Sequence, residues 1–230
     1  MDEIADEITK ADHLTALTGA GISTGAGIPD FRGDKGIYRT GKYEPDKILD
    51  INYFVKDPAP FYDFATDFLA MLKNAKPTYA HLFLADLERR GKIDAVITQN
   101  IDGLHQRAGS KRVIELHGSF EKGYCMKCGK EIKELEKKIP EACECGGIIK
   151  PDIVFFGEPV KGFYEAKKAV ERADLLLVLG SSLAVAPASI LPFYCSGKII
   201  IINKGPVFSA PERAMIINGD IDSFLRSLHL

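Results

Sequence analysis

The chain has 230 residues, of which 46% are apolar and 27% charged, with a formal net charge of −2. That length can bury a full core, and the composition is that of an ordinary globular protein rather than a disordered or fibrous one. The near-balanced charge gives no general electrostatic case for nucleic acid or an anionic membrane, and the longest apolar runs, 175–179 and 199–202, are far too short to span a bilayer.

In chain order, the acidic start through Glu7 reads as a helix over 4–11 and not as a secretory signal, so a cytoplasmic location is expected. A continuous apolar run, 14–18, follows as a buried strand. Further runs of this kind lie at 95–98, 113–116, 175–179, 199–202 and 215–217. Each is continuous rather than alternating, as expected of strands covered on both faces. Helical patterns separate them: 77–90, with a proline at a plausible first position and Gly91 after its end, then 160–172, 187–195 and 221–228, the last capped by Asp220. Strands alternating with helices predict an α/β fold, a doubly wound parallel Rossmann-like sheet. Two segments break the rhythm: an aromatic, helical stretch after Gly36 and a lysine- and cysteine-rich stretch after Phe120. The expected division is a discontinuous nucleotide-binding domain, 1–36, 75–118 and 151–230. A smaller inserted domain is built from a helical module, 37–74, and a zinc-binding module, 119–150.

The chemistry gathers at strand ends. After the first strand comes Thr18-Gly-Ala-Gly-Ile-Ser-Thr-Gly-Ala-Gly-Ile-Pro-Asp-Phe-Arg-Gly33. Gly19 and Gly21 permit a tight turn and close approach of backbone to a ligand, and N–H groups in such a turn cradle a pyrophosphate. Glycine-rich turns are often only turns. Here Ile28-Pro-Asp30-Phe31-Arg32 follows at once, a rigid, charged and aromatic sequence suited to a pocket wall. Thr98-Gln-Asn-Ile-Asp-Gly-Leu-His105 follows the next strand. Gln99, Asn100 and Asp102 offer amide and carboxylate groups for ribose hydroxyls and a carboxamide; the same residues would also serve as an Asx-rich cap for the next helix. Glu115-Leu-His117-Gly118 ends a third strand. A lone histidine is more often a core residue, but a strand's carboxyl end beside the cysteine insertion suits a general base near neutral pH. His13, His81, His105 and His229 have weaker claims. Gly180-Ser181-Ser182 and Asn203-Lys204-Gly205 complete the rim with groups for phosphate and ribose. The apolar face of Pro151-Asp-Ile-Val154-Phe-Phe156-Gly157-Glu158 could line a narrow tunnel.

Cys125-Met-Lys-Cys128 and Cys143-Glu-Cys145 give four thiolates, which make a closed tetrahedral zinc site with a structural role. The second pair is C-x-C, which implies a tighter chelate. The lysines around them, Lys122, Lys127, Lys130 and Lys133, are read as offsetting the site's negative charge. Cys195 stands apart and is expected to be buried and structural.

Taken together, Gly19-Ala-Gly-Ile-Ser23 with Gly27-Ile-Pro-Asp-Phe-Arg-Gly33, Thr98-Gln-Asn-Ile-Asp102, Glu115-Leu-His-Gly118, the four cysteines, Phe156-Gly-Glu158 and Gly180-Ser-Ser182 resemble the sirtuins, NAD-dependent protein lysine deacylases. The resemblance runs from about residue 14 to the C-terminus in the family's motif order. It implies that nicotinamide leaves NAD while the acyl oxygen of a modified lysine attacks the ribose carbon. His117 would then activate a ribose hydroxyl toward the resulting alkylimidate, giving free lysine, nicotinamide and O-acyl-ADP-ribose. It assigns Asn100, Ile101, Asp102, Asp30 and Phe31 to the nicotinamide pocket and Ala20, Thr24, Arg32 and Gln99 to the phosphates and ribose. Ser181, Asn203 and Ile221 fall to the adenosine half, and Val154 and Phe156 to the acyl-lysine tunnel, with the peptide pairing as a strand. The implied cofactors are NAD and one structural zinc; the implied partners are acyl-lysine proteins or peptides, with no nucleic acid and no membrane. The chain departs from its relatives at Gly25, an extra glycine in the first loop, at Ala186 where tyrosine is frequent, and at the C-x-C pair. Sirtuins that take acidic acyl groups carry a tyrosine and an arginine three residues apart; Tyr62 with Ala65 lacks the cation, so neutral acyl groups are expected. The alternatives are mono-ADP-ribosyl transfer from the same cofactor site, an NAD-dependent dehydrogenase, and a non-enzymatic zinc module that binds nucleic acid.

Overall fold

The computed structural model describes residues 2–30, 41–135, 139 and 142–228. Helix α1 (Asp2–Lys10) leads into strand β1 (Leu14–Thr18) and a 3-10 turn over Ala20–Ala26. Helices α2 (Pro45–Ile48), α3 (Ile51–Lys56), α4 (Ala59–Asn74) and α5 (Tyr79–Arg89) precede strand β2 (Ile93–Thr98). Then come α6 (Leu104–Ala108), β3 (Val113–Glu115), β4 (Gly118–Cys125), β5 (Glu131–Lys133) and β6 (Ile149–Ile153). The chain closes with α7 (Phe163–Arg172), β7 (Leu175–Leu179), a 3-10 segment Ala188–Tyr194, β8 (Lys198–Asn203), β9 (Met215–Asn218) and α8 (Ile221–Arg226).

Six strands form one parallel sheet in the order β3-β2-β1-β7-β8-β9. Strand order reverses between β1 and β7. A doubly wound sheet binds its ligand at such a switch point, beyond the carboxyl ends of the strands. The apolar runs of β1 and β7 are buried at every residue because both faces are covered. One face packs on Ile4 and Ile8 of α1, Leu84 and Leu87 of α5 and Ile221 and Leu225 of α8. The other packs on Ala166 and Val170 of α7 and on Leu191. Each fully buried leucine or isoleucine contributes roughly 1.5–3 kcal/mol, so these two faces set the layers.

The remaining strands make a separate antiparallel sheet, β5-β4-β6. A phenylalanine cluster joins it to the helical segment. Phe61 of α4 stacks on Phe120 of β4 with ring centroids 6.2 Å apart, and Phe54 of α3 meets Phe155 edge-on at 5.1 Å. Phe64 and Phe68 complete the cluster, all of it buried.

Three expectations need correction. The helix after residue 77 begins at Tyr79 with Thr78 as its N-cap in a capping box with His81, so Pro77 precedes the cap instead of opening the helix. The 187–195 segment is a 3-10 helix, with Pro192, which has no N–H to give to an α-helical ladder, inside it. The 215–217 run is the edge strand β9, paired with β8 alone among the described residues; it exposes Met215 and Ile216 while Ile217 packs on the core.

Candidate active site and metal centre

The turns after β1 and β7 interlock at the switch point. Gly19 N–H donates to the Leu179 carbonyl at 3.1 Å and Gly21 N–H to the Gly180 carbonyl at 2.9 Å. A Cβ on Gly21 would fall 2.7 Å from Gly180 Cα, and one on Gly180 would fall 2.3 Å from the Ile22 nitrogen. Gly180 also has φ +67°, a conformation that costs other residues energy. These glycines therefore serve the packing of one turn on the other. Ala20 and Thr24 lie on the 3-10 turn, Thr24 exposed with its hydroxyl on the Gly21 carbonyl at 3.0 Å. The extra glycine, Gly25, sits inside this turn without a positive φ; Gly27, at φ +84°, closes it. Asp30 is half-buried, while Phe31 and Arg32 lie outside the described residues.

Asn100 and Asp102 are both buried. Ser23 bridges them: its hydroxyl donates to Asp102 Oδ2 at 2.7 Å and accepts from Asn100 Nδ2 at 3.1 Å. Asn100 Nδ2 also reaches the Gly19 carbonyl at 3.2 Å. Asp102 Oδ1 accepts from Leu104 N–H at 2.9 Å, so the carboxylate opens α6 as well as facing the glycine turn. Ile101 packs toward the phenylalanine cluster. Ser23, 1% exposed, was present in the glycine-rich motif, but only the fold shows that it holds the two polar side chains together.

Gln99 ties the site across the sheet. Its side-chain N–H donates to Ser181 Oγ at 2.9 Å, and its carbonyl lies 2.7 Å from His117 Nδ1. A carbonyl only accepts, so the imidazole N–H is on Nδ1 and Nε2 keeps its lone pair. Burial pushes the His117 pKa below its ordinary value, partly opposed by the Gln99 bond. The ring is neutral at pH 7 and can take a proton at Nε2.

The His117 carbonyl accepts from Val154 N–H at 2.8 Å, which fixes the 154–158 turn beside the imidazole. Phe156 is 48% exposed and bridges to Asp50, and Gly157 turns the chain at φ +94°. Glu158, half-buried, directs its carboxylate inward. It accepts from Phe155 N–H at 2.8 Å and pairs with Lys150 at 2.9 Å. Lys150 is 1% exposed; its ammonium also donates to the Ile153 carbonyl at 2.7 Å and sits 4.3 Å over the Phe155 ring. Nothing in sequence marked this lysine among its many neighbours of the same kind.

At the far end, Ser181 is buried, Ser182 half-buried and Lys204 exposed. Asn203 spends its amide N–H groups on the Gly205 and Pro206 carbonyls, both at 3.3 Å. Ile221 is buried behind the Asp220 cap, whose carboxylate accepts from Ser223 N–H at 2.9 Å. Glycine N–H groups, buried amide and carboxylate side chains and serine hydroxyls on one rim suit a dinucleotide.

The cysteine sulfurs converge at the turn end of β4. All four lie within 4.8 Å of one another, Cys125 and Cys145 at 3.5 Å and Cys128 and Cys143 at 3.8 Å. A tetrahedral zinc with bonds of about 2.3 Å needs sulfurs about 3.8 Å apart, so the donor set fits. Cys125 Sγ accepts from Lys127 N–H at 3.4 Å and Cys128 N–H at 3.5 Å. These N–H groups bring the Cys125 pKa down to about 6, while the Cys125 sulfur beside it pushes Cys145 up to about 12. Four thiolates this close need a cation between them. Gly147 is required here, since a Cβ would lie 2.6 Å from Cys125 Sγ. Of the lysines, Lys127 reaches the Cys145 carbonyl at 3.1 Å, while Lys130 and Lys122 pair with Glu144 and Glu131. Cys195 is buried, as expected.

The Sir2 family model matches residues 19–187. The chain is 47% identical over 212 residues to an NAD-dependent protein deacetylase of Saccharolobus solfataricus, covering 88% of this chain and 85% of that one. It is 46% identical over 238 residues to one of Thermotoga maritima, covering 98% and 96%. Among solved structures, Sir2 with p53 peptide and NAD+ aligns with a TM-score of 0.87 at 44% identity, covering 98% of this chain and 95% of that one. Sir2 bound to acetylated peptide aligns with a TM-score of 0.86 at 42% identity, covering 98% and 95%.

Proposed function

The chain belongs to the Sir2 family and is an NAD-dependent protein deacetylase, and from that premise we propose the part each residue plays. The observation that carries the proposal is the 2.7 Å contact between His117 Nδ1 and the Gln99 carbonyl, which leaves Nε2 as a base at the carboxyl rim.

NAD, when bound, supplies the ribose carbon that accepts the acyl oxygen as nicotinamide leaves. Around it, the N–H groups of the Gly19–Thr24 turn and of Gly180–Ser182 hold the phosphates. Asn100 and Asp102, set by Ser23, orient the nicotinamide ribose and carboxamide. By the resemblance of their motif, Asp30 and Phe31 would serve the nicotinamide pocket, Arg32 the phosphates and ribose, and Asn203, Lys204 and Ile221 the adenosine end. His117 Nε2 takes the proton of a ribose hydroxyl. Val154, Phe156 and Gly157 dock the acyl-lysine strand, with Glu158 as an internal brace. The acyl group is acetyl or another neutral chain: Ala65, buried at 0% exposure, stands where a cation would be needed for an acidic one, and Tyr62 is committed to the Ile149 carbonyl at 2.8 Å. The cysteines hold one zinc that organises β4–β6 and takes no direct part in the reaction.

The two-domain division at 1–36, 75–118 and 151–230 against 37–74 and 119–150 is supported by the phenylalanine cluster, which packs the two insertions together. A dehydrogenase reading is disfavoured because β2 ends at Thr98 and is followed by Gln99, where a dinucleotide reductase carries a carboxylate for the ribose. No helix among the described residues is long and apolar enough to cross a membrane; a cytoplasmic location and the absence of nucleic-acid binding are part of the proposal. The test is nicotinamide release with acetyl-lysine peptide against the same peptide unmodified. Release that depends on the acetyl group supports the reading, and equal release with both peptides would favour ADP-ribosyl transfer or simple NAD hydrolysis.

A further inference from the structure

The amino end of the parallel sheet carries a cavity that the mechanism does not use. It lies between α7 and the starts of β2 and β3, and its volume is about 470 Å³, within the range of small-ligand sites. Strands rise roughly 3.3 Å per residue, so Ala95 in this cavity is about 13 Å along β2 from Gln99 at the His117 rim.

The two walls are both cationic. Helix α7 supplies one through Glu165, Lys168, Ala169 and Arg172, which the helical period sets on one stripe. The adjoining stripe, Ala166 and Val170, is buried in the core. Lys111 and Arg112, just before β3, supply the other wall. Their backbone N–H groups donate to the two Glu88 carboxylate oxygens at 2.9 and 2.8 Å, which fixes the loop. Their side chains are exposed and, among the described residues, enter no ion pair. Lys168 likewise has no carboxylate partner there; its ammonium sits 4.4 Å over the Tyr164 ring. Between the walls the floor is apolar: Ala95, Val113, Ile114 and Ala169.

Four cations thus line the cavity against two carboxylates, in a chain whose net charge is −2. One of the carboxylates is already matched. Asp94 Oδ2 lies 3.0 Å from His13 Nδ1 and 3.6 Å from Arg172 Nε. Among the lining residues Glu165 alone is left against Lys111, Arg112 and Lys168. Unmatched cations gathered around a concave surface concentrate anions there.

We propose that this cavity is a binding site for a polyphosphate, a chain of two or more phosphoryl groups, inorganic or carried by a nucleotide. Cations on both walls favour an anion whose charge is spread over several phosphoryl groups. The Arg112 guanidinium matches two phosphate oxygens at once, and the lysines add point charges. A polyphosphate also brings more negative charge into this volume than a run of carboxylates of the same size. The Gly19–Thr24 turn lies beyond the other end of the sheet, so an anion here leaves that turn free.

The test uses the zinc-loaded full chain labelled with 15N, titrated with tripolyphosphate and with ATP. Both are expected to move the amides of 111–114 and 165–172, and added salt is expected to weaken both. Tighter binding of ATP would place its base on the apolar floor; equal binding would assign recognition to the phosphates alone. Lys111→Ala with Lys168→Ala is expected to weaken either probe roughly tenfold or more, and Glu165→Gln to tighten it. Deacetylation without probe is expected to stay within about twofold in both variants. Movement confined to the amides of 19–24 and 180–182, no movement at millimolar probe, or equal affinity in the double variant would overturn the proposal. An acidic peptide that moves the cavity amides where neither probe does would overturn it in favour of a protein partner. Should a variant not fold, the wild-type titrations decide alone. The titration needs no NAD, so a chain without deacetylase activity would leave this result standing, and a silent cavity would leave the deacetylase reading standing.

Discussion

His117 Nδ1 and the Gln99 carbonyl oxygen are 2.7 Å apart, and because the acceptor is a backbone atom, no side-chain change can remove it. The histidine tautomer is built into the end of β2. Gln99 meanwhile fastens its side chain to Ser181 at the foot of β7, so the strands on either side of β1 are referenced to one residue.

The pH dependence of activity follows. Burial lowers the His117 pKa below 6.5, so the base is free at neutral pH and becomes protonated only as pH falls. Under subsaturating substrate, kcat/KM is expected to rise with pH and reach half its plateau below pH 6.5. His117→Ala is expected to lose about 10²–10⁴-fold in rate. The pH–rate profile checks this, and a half-point above the ordinary histidine range would count against it.

Lys150 and Glu158 form an ion pair at the 154–158 turn. Leaving one member of a buried pair unmatched costs about 3–5 kcal/mol, whereas replacing both by apolar groups is often neutral. Lys150→Met alone is therefore expected to lower stability markedly and to raise KM for peptide. Lys150→Met with Glu158→Leu is expected to recover much of the stability. Urea unfolding of the single and double variants measures this; losses that simply add would show that the two side chains are not coupled.

Zinc holds together a sheet with little core of its own. Chelation, or Cys143→Ser, is expected to abolish activity by melting β4–β6, although no cysteine touches the rim. Metal content should be one zinc per chain in the native protein, and loss of metal should track loss of the antiparallel sheet in hydrogen exchange. A metal-free protein with full activity would refute the structural role.

Acid stability reports on the buried histidines. With a folded pKa of about 4 against 6.5 unfolded, His81 gives stability that is complete above pH 6.5 and is lost as pH falls toward 4. The loss approaches about 1.4 kcal/mol per pH unit for one such group, and His105 shifts in the same direction. Urea midpoints at pH 7.5 and pH 5, with zinc content verified at both, should fall with acidification; a constant midpoint would mean that these rings titrate normally.

The sheet was legible because parallel strands read as unbroken apolar runs: 14–18 and 175–179 are strands at those bounds, and 95–98 and 199–202 grew by one or two residues at their ends. The cysteine cluster was legible because four thiolates at short spacing have few other uses. Less legible was anything that depends on a partner distant in sequence. Ser23 matters through Asn100 and Asp102, and Lys150 through Glu158, whose side chains gave only weak signals in isolation. The edge position of β9 was hidden for the same reason: Met215–Asn218 is apolar enough for a central strand, and only the sheet order shows that among the described residues β8 alone flanks it.

Removal of acetyl groups from lysine by transfer to ADP-ribose, with His117 as the base, leaves two products that can be weighed. The most direct measurement is mass spectrometry of an acetyl-lysine peptide incubated with the protein, with and without NAD, beside His117→Ala. Deacetylated peptide and O-acetyl-ADP-ribose are expected in equal amounts, only with NAD, and neither product at a comparable rate in the variant. Acetyl-lysine and NAD both left intact, or deacetylation that releases free acetate without NAD, would contradict it.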